Sequence, residues 1–311
     1  MNSHSHAWIL AGATATGKTA VAQLLAEQLG CAILSADAML VYRGMDIGTA
    51  KPTPAERGQV PYFGIDLATP AEPFSTGAWL AAARQALNTP ASGGLIVVGG
   101  TGLYIKALTA GFDSAESDPA RRAHWQSLYE RGGLAALRQA LTERAPDALE
   151  GLADAGNPRR LIRALEHLDA RGCLPESWQR DAPPAPVLAL RLPRAQLHRR
   201  IERRVTTMFQ GGLADEVRAL RHAYPVWSDT ARKAIGYAEV CDLLDGALTE
   251  KAAFEQIVIR TRQLAKRQET WFRHQTQTVW LDIDENDPPA LIARRVLDLW
   301  RQHGPAPLVS P

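Results

Sequence analysis

An α/β fold, a parallel sheet core flanked by helices and interrupted by a helical insertion domain, is what this sequence of 311 residues predicts. Three observations predict it. Short apolar runs alternate with helical patterns in the first hundred residues, the order that builds parallel βαβ units. One of those junctions, GATATGKT (12–19), matches G-x-x-x-x-G-K-[ST], and the strand, loop and helix around it follow in the order that a P-loop, NTPase-like core requires. From Asp118 to about Gly172 strand patterns disappear and helix signals replace them.

The elements follow in order. AWILA (7–11) reads as a core strand. KTAVAQLLAEQLG (18–30) reads as a helix with Val21, Leu24, Leu25 and Leu29 on one face and Gly30 placed to end it. CAILSA (31–36), YFGIDLA (62–68) and GLIVVGG (94–100) are further strands, and FSTGAWLAAARQAL (74–87) is the helix before the last of them. DPARRAHWQSLYERGG starts at an Asp cap followed by proline, and NPRRLIRALEHLDARG repeats the device with Asn157 and Pro158. DAPPAPVLALRL (181–192) then returns through a proline-rich link to a strand. Helices follow, then a strand-like TVWLDID (278–284), a closing helix and a terminal GPAPLVSP expected to fray. Domain boundaries are expected at 1–113 for the first part of the core, 114–186 for the insertion and 187–311 for the rest of the core.

Composition narrows the function classes. A formal charge of +2 is too small to prove a polyanionic partner, so a nucleic-acid case must rest on where charges cluster. Cys31, Cys173 and Cys241 lie far apart without a C-x-x-C pair, a reduced cytoplasmic pattern that offers no zinc site. No apolar run approaches the length of a membrane span, so neither membrane nor secretion is expected.

The loop of Gly12, Ala13, Thr14, Ala15, Thr16, Gly17, Lys18 and Thr19 is suited to an anion: backbone N–H groups face it, Lys18 reaches a further phosphate and Thr19 can carry Mg²⁺. Ligands of open α/β sheets gather beyond the carboxyl ends of strands, and two more polar residues fall there. Asp37 follows ILSA, and Thr101 follows IVVGG, where glycines permit close backbone approach. Read alone, Asp37 is either a loop carboxylate or, beside phosphates, a metal ligand or proton acceptor. Thr101 read alone is a structural turn residue.

Helix RAQLHRRIERRVTTMF (194–209) sets Leu197, Ile201, Val205 and Met208 on an apolar stripe that also holds Arg204, whereas Arg199 and Arg203 point to solvent. An arginine there answers either a buried acid or a diphosphate. EQIVIRTRQLAKRQETWFRH (255–274) reads as one helix with Ile257, Leu264 and Trp271 on its buried face and Arg262, Lys266 and Arg273 on another. With Trp271 and Phe272 interleaved, and with RKAIGY (232–237) and NPRRLIR (157–163) adding charge, the pattern suits RNA backbone and stacked bases.

Taken together, GATATGKT, SADAMLVYRGMDIGTAKP (35–52), GGTGLYIKAL (99–108), NPRRLIRALE, RRIERRV, AIGY and RQLAKRQETWFR resemble, in order and over nearly the whole chain, the tRNA dimethylallyltransferase (isopentenyltransferase) family. The resemblance implies transfer of a dimethylallyl group from dimethylallyl diphosphate to the exocyclic amine of the adenine 3′ of the anticodon in tRNA. It also implies Mg²⁺ as cofactor, a monomer and a loop holding a prenyl diphosphate in place of ATP. By position, Asp37 resembles the general base, Thr101 and Arg204 the residues at the diphosphate and reacting centre, and the loop from Gly12 to Thr19 the donor site. The tRNA contacts implied are Asp37, Ala38, Met39 and Leu40, then Thr101, Arg122, Arg159, Arg160 and Arg163, then Lys233, Gly236 and Tyr237, and last Lys266, Arg267, Gln268, Trp271 and Arg273. Three positions depart from the family pattern: Ala13 replaces a usual proline, Thr16 a common serine, and Ala38 a typical serine, which removes a hydroxyl beside the base.

The alternatives are an adenylate isopentenyltransferase, against which the insertion and basic helix argue, a P-loop kinase with Asp37 as base, and an RNA-binding module without catalysis.

Overall fold

The computed structural model describes residues 6–89, 91–111, 118–152, 155–174 and 186–309. In chain order the elements are β1 (His6–Gly12), α1 (Lys18–Leu29), β2 (Ala32–Ser35), α2 (Pro54–Arg57), β3 (Tyr62–Phe63), α3 (Thr76–Leu87), β4 (Leu95–Gly99), α4 (Gly102–Ala110), α5 (Pro119–Arg144), α6 (Ala148–Gly151) and α7 (Pro158–Arg171). Then come β5 (Pro186–Arg191), α8 (Arg194–Gln210), α9 (Leu213–Ala223), α10 (Asp229–Arg232), α11 (Tyr237–Leu244), α12 (Glu250–Gln275), β6 (Gln277–Asp282), α13 (Pro289–His303) and β7 (Ala306–Pro307). They form two compact units, Gly111–Pro183 and the remainder.

The larger unit is built on a sheet of order β3-β2-β4-β1-β5-β6, every pair of which is parallel. Its central strands are buried along their length: β2 and β4 expose none of their residues, as expected of strands covered on both faces. Helix α1 packs on α13, α3 on α4, and α8 on α12. Gly12 ends β1 at φ 136°, and a Cβ there would meet the Leu190 carbonyl of β5 at 2.6 Å, so only glycine lets the phosphate loop leave the sheet at this point.

Three details differ from the sequence reading. The buried face of α1 is Val21, Ala22, Leu25 and Ala26, while Leu24 is exposed, because small alanines bring the helix close to the sheet. The strand expected over 62–68 stops at Phe63: Gly64 (φ 76°) and Asp66 (φ 54°) turn the chain, and Lys51 holds the Asp66 carboxylate at 2.6 Å. The terminal segment is tied down where fraying was expected, since β7 pairs antiparallel with His6 and Ala7 and Val309 N–H donates to Leu108 O at 3.0 Å.

The smaller unit is helical. Asn157 caps α7 through its side chain, followed by Pro158, and Gly172 closes it in the left-handed region. Helix α5 kinks at Gly133 (φ 63°). Trp125, Leu137, Leu141, Leu161, Ile162 and Leu165 form its own core, and Trp125 donates to Asp169 at 2.7 Å.

Candidate active site

The carboxyl ends of the adjacent strands β2, β4 and β1 open into a cavity of about 1160 Å³. Five residues of the phosphate loop line it: Thr14, Ala15, Gly17, Lys18 and Thr19. Gly12, Ala13 and Thr16 lie buried behind them, and the Thr16 hydroxyl braces the turn by donating to Ala13 O at 2.9 Å. Ala15 holds φ at 64°, a conformation that costs a non-glycine residue energy and aims the loop inward. The N–H groups of Ala15, Thr16 and Gly17 have no acceptor among the described residues, leaving a ring of donors at the N-terminus of α1.

Lys18 reaches back over the loop to Ala13 O at 2.5 Å. Burial pulls its ammonium down to about 8, against the attraction of Asp37 and with the repulsion of Arg204. Such an amine is poised to regain full charge beside an anion. Asp37 lines the same cavity. One carboxylate oxygen accepts Met39 N–H at 2.9 Å, which leaves the second oxygen for a reactant.

Thr101 does not line the cavity. Its N–H donates to Ala36 O at 2.9 Å and its hydroxyl accepts Ala38 N–H at 3.0 Å, so it supports the turn carrying Asp37 from behind. Gly99 permits this: a Cβ there would lie 2.1 Å from Ala36 O.

Arg204 projects from α8, where Leu197, Ile201, Val205 and Met208 form the buried stripe. It is half-buried at the margin of that stripe and donates to Thr14 Oγ1 at 3.1 Å and Thr49 O at 2.8 Å. Both acceptors are neutral, and Arg204 makes no ion pair among the described residues, so the reading of a buried acid partner is set aside. Burial lowers its pKa, and Asp37 opposes the shift. Arg199 and Arg203 are not simply solvated, since both pair with Glu285 beyond β6, Arg203 at 2.9 Å.

Sequence reasoning missed two residues of the site. Arg200 lies over the phosphate loop, 3.5 Å from where a Gly17 Cβ would be, and its buried Nη1 has no partner among the described residues. Its signal was available: it is one turn before Arg204 on the same helix. Glu216 of α9 accepts Asp46 N–H at 3.1 Å and Ile47 N–H at 2.7 Å on one oxygen, and the Tyr237 hydroxyl at 2.6 Å on the other. It therefore anchors the loop whose Thr49 carbonyl holds Arg204, a link between distant segments that no local spacing reveals.

The expected RNA contacts divide. Lys233, Lys266, Arg267 and Arg273 are exposed, and Ala38, Met39 and Trp271 are half-buried. Leu40 is nearly buried at the cavity wall. In the smaller unit Arg159 and Arg160 are exposed, and Arg163 and Arg122 approach the buried Glu166 at 3.2 and 3.8 Å. Tyr237 corrects the expectation: it is wholly buried, its phenol pushed far up by burial and by Glu216, and its ring stacks so close to Gly48 that a Cβ there would be at 2.5 Å. Gly236 is buried with it. Phe272 is also buried in the core and offers no stacking face. Gln268 is turned inward, where its side chain is engaged by two loops.

For a divalent cation, the hydroxyl of exposed Thr19 and the carboxylate of Asp37 share the cavity, and no group of three ligating side chains exists among the described residues. A hard oxygen or two, completed by phosphate oxygens, is the donor set Mg²⁺ accepts, so the residues fit it. Among the described residues no helix is long and apolar enough to cross a membrane.

Comparison with known proteins finds relatives along most of the chain. The family model described as IPP transferase matches residues 40–275, and one described as isopentenyl transferase matches residues 5–61. A tRNA dimethylallyltransferase of Kineococcus radiotolerans is 40% identical over 301 residues, covering 93% of this chain and 94% of that protein. One of Thermus thermophilus is 42% identical over 273 residues, covering 86% and 89%. The crystal structure of a tRNA isopentenylpyrophosphate transferase from Bacillus halodurans superposes with a TM-score of 0.67 at 32% identity, over 96% of this chain and 95% of that one. A eukaryotic dimethylallyltransferase described as acting on tRNA shares the fold, with a TM-score of 0.74 at 21% identity, over 96% of this chain and 76% of that one. With a phosphate loop, an inward carboxylate and two arginines converging on one cavity, and with relatives matched across almost its full length, this chain belongs to the IPP transferase family.

Proposed function

We propose that the protein transfers a dimethylallyl group from dimethylallyl diphosphate to the exocyclic 6-amino group of the adenine 3′-adjacent to the anticodon in tRNA, releasing diphosphate. The observation that carries this reading is the shared cavity: anion donors from the loop, Arg200 and Arg204 line it together with Asp37, whose second oxygen is free, in a space large enough for donor and acceptor together. The relatives' names supply the substrate class.

The chemistry suits these parts. An aromatic exocyclic amine is a weak nucleophile because its lone pair is delocalised, so its proton must leave as the new bond forms. The N–C bond forms at the allylic carbon, the C–O bond to diphosphate breaks, and the amine proton passes to Asp37. The departing diphosphate gathers negative charge, which the loop N–H groups, Lys18, Arg200 and Arg204 stabilise more in the transition state than in the ground state. Thr19 would hold Mg²⁺ through its hydroxyl, and the ion would supply Lewis-acid neutralisation of the phosphate oxygens. An adenine in an RNA loop can be unstacked at a cost of about a few kcal/mol and drawn in. The anticodon stem-loop is held by the exposed cations of α12 and Lys233. We read the enzyme as a monomer, and as cytoplasmic in keeping with its three free cysteines.

Unmodified tRNA incubated with radiolabelled dimethylallyl diphosphate tests the reading. Label in the tRNA supports it; ATP-dependent labelling of a small hydroxyl compound, with none in tRNA, replaces it with a kinase.

A further inference from the structure

Helix α12 presents Lys266, Arg267 and Arg273 to solvent, but Gln268 between them turns the other way. Its Oε1 accepts the Thr14 N–H at 2.8 Å and its Nε2 donates to Gly100 O at 3.1 Å. One carboxamide thus bridges the phosphate loop and the loop after β4. Gly100 is shaped for it, since a Cβ there would lie 2.2 Å from Nε2. The consequences run into both halves of the site. Thr14 is the residue whose hydroxyl Arg204 also holds, at 3.1 Å. Gly100 precedes Thr101, whose hydroxyl takes the Ala38 N–H beside Asp37 at 3.0 Å.

We propose that Gln268 is a positioning residue for the transfer: it sets the separation between the loop that holds the donor and the loop that carries the base, and it does not contact RNA. This rests on the reading of the site given above. The requirement is chemical. One end of the bridge must accept and the other must donate, over the reach of a glutamine; glutamate lacks the donor, and methionine of similar length has no donor and only a weak acceptor. Reactants drawn from two loops must meet in near-attack geometry, and a displacement of about 1 Å is enough to cost about 10²-fold in rate. The same side chain ties the helix bearing the exposed cations to both loops, so force applied to α12 by a bound polyanion reaches the reacting centre through it.

The test compares the full-length wild type with Gln268→Met and Gln268→Glu. Prenyl transfer, the Kd of an unmodified anticodon stem-loop and the Kd of inorganic diphosphate without RNA are measured on each. For Gln268→Met we expect kcat lower by about 10²-fold, diphosphate bound about tenfold more weakly because Thr14 is released, and RNA affinity within twofold of wild type. Gln268→Glu keeps the acceptor for Thr14 but loses the donor to Gly100 and sets a negative charge beside the diphosphate loop, so neither diphosphate binding nor kcat should recover fully. RNA binding weakened tenfold with kcat intact would make Gln268 an RNA contact and overturn the proposal. So would unchanged diphosphate binding and kcat, or a lowered Tm with normal activity in the folded fraction. Should the wild type fail to prenylate tRNA, the proposed function falls, while the diphosphate measurement still decides whether Gln268 sets the loop.

Discussion

Arg204 donates to the hydroxyl of Thr14 in the phosphate loop at 3.1 Å, and no carboxylate among the described residues forms an ion pair with it, Asp37 acting on it only through space. A half-buried guanidinium held only by neutral oxygens lacks its natural counter-ion, and a diphosphate in the adjoining cavity would supply one. Arg204→Gln should therefore leave the Tm within a few degrees of wild type while kcat/KM falls by about 10²-fold or more, the scale of losing a charge-assisted contact in the transition state. Thermal melts and steady-state kinetics on the one variant decide between this and a structural role.

Asp37→Ala should lower kcat by about 10²–10⁴-fold, the usual contribution of a general base, with RNA affinity retained. The free oxygen opposite the Met39 contact is the reason. Activity within threefold of wild type would remove Asp37 from the mechanism.

Lys18 should leave its mark on the pH profile. Burial lowers its pKa to about 8 in the free protein, so it is charged below that pH and neutral above it. A bound diphosphate favours the charged form and raises the pKa, so binding above pH 8 takes up a proton. The donor KM should then climb roughly tenfold per pH unit above about 8, by the linkage of one proton to binding. Calorimetry in buffers of different ionisation enthalpy would register the uptake, and Lys18→Met should abolish the break.

Exposed Lys266 and Arg273 on α12 make no ion pair among the described residues. Replacing either with alanine should weaken tRNA binding and flatten its dependence on salt by about one unit of slope in log K against log salt, because each phosphate contact releases counter-ions. Parallel slopes for wild type and variants would show this face to be only solvated.

Glu216→Ala removes the acceptor of the Asp46 and Ile47 N–H groups and of the Tyr237 hydroxyl. Leaving such donors unsatisfied costs about 1–3 kcal/mol, and a lower Tm is expected. Donor KM should rise as well, because the loop bearing the Thr49 carbonyl no longer orients Arg204. A fall in Tm alone, with unchanged kinetics, would confine Glu216 to stability.

Much of the α/β core was legible because its signals are local. The alternation of apolar runs and helices, the glycines around Lys18 and the capped starts at Asp118 and Asn157 depend on neighbours a few residues apart, where backbone geometry and burial periodicity act directly. Asp37 and the phosphate loop could be placed on one edge because parallel connections return each strand in the same direction. The resemblance misled for Tyr237, and the interleaving of aromatics with cations for Phe272; Tyr237, Phe272 and Gln268 carry side chains that serve either RNA or a core, and only packing decided that all three turn inward. Arg200 and Glu216 escaped for the opposite reason. Their partners at Gly17 and at Asp46 and Ile47 lie far away along the chain, and a carboxylate spanning α9 and a distant loop leaves no pattern in either. The sequence by itself determined the central strands, the capped helix starts and the chemistry of the loop, since these follow from short-range sterics and hydrogen bonding, whereas the short β3 and the terminal β7 were settled by contacts with distant segments. Which charged side chain finds a neutral acceptor, which finds an acid and which faces the cavity unpartnered was decided by tertiary structure alone, because electrostatics and burial act through space and not along the chain.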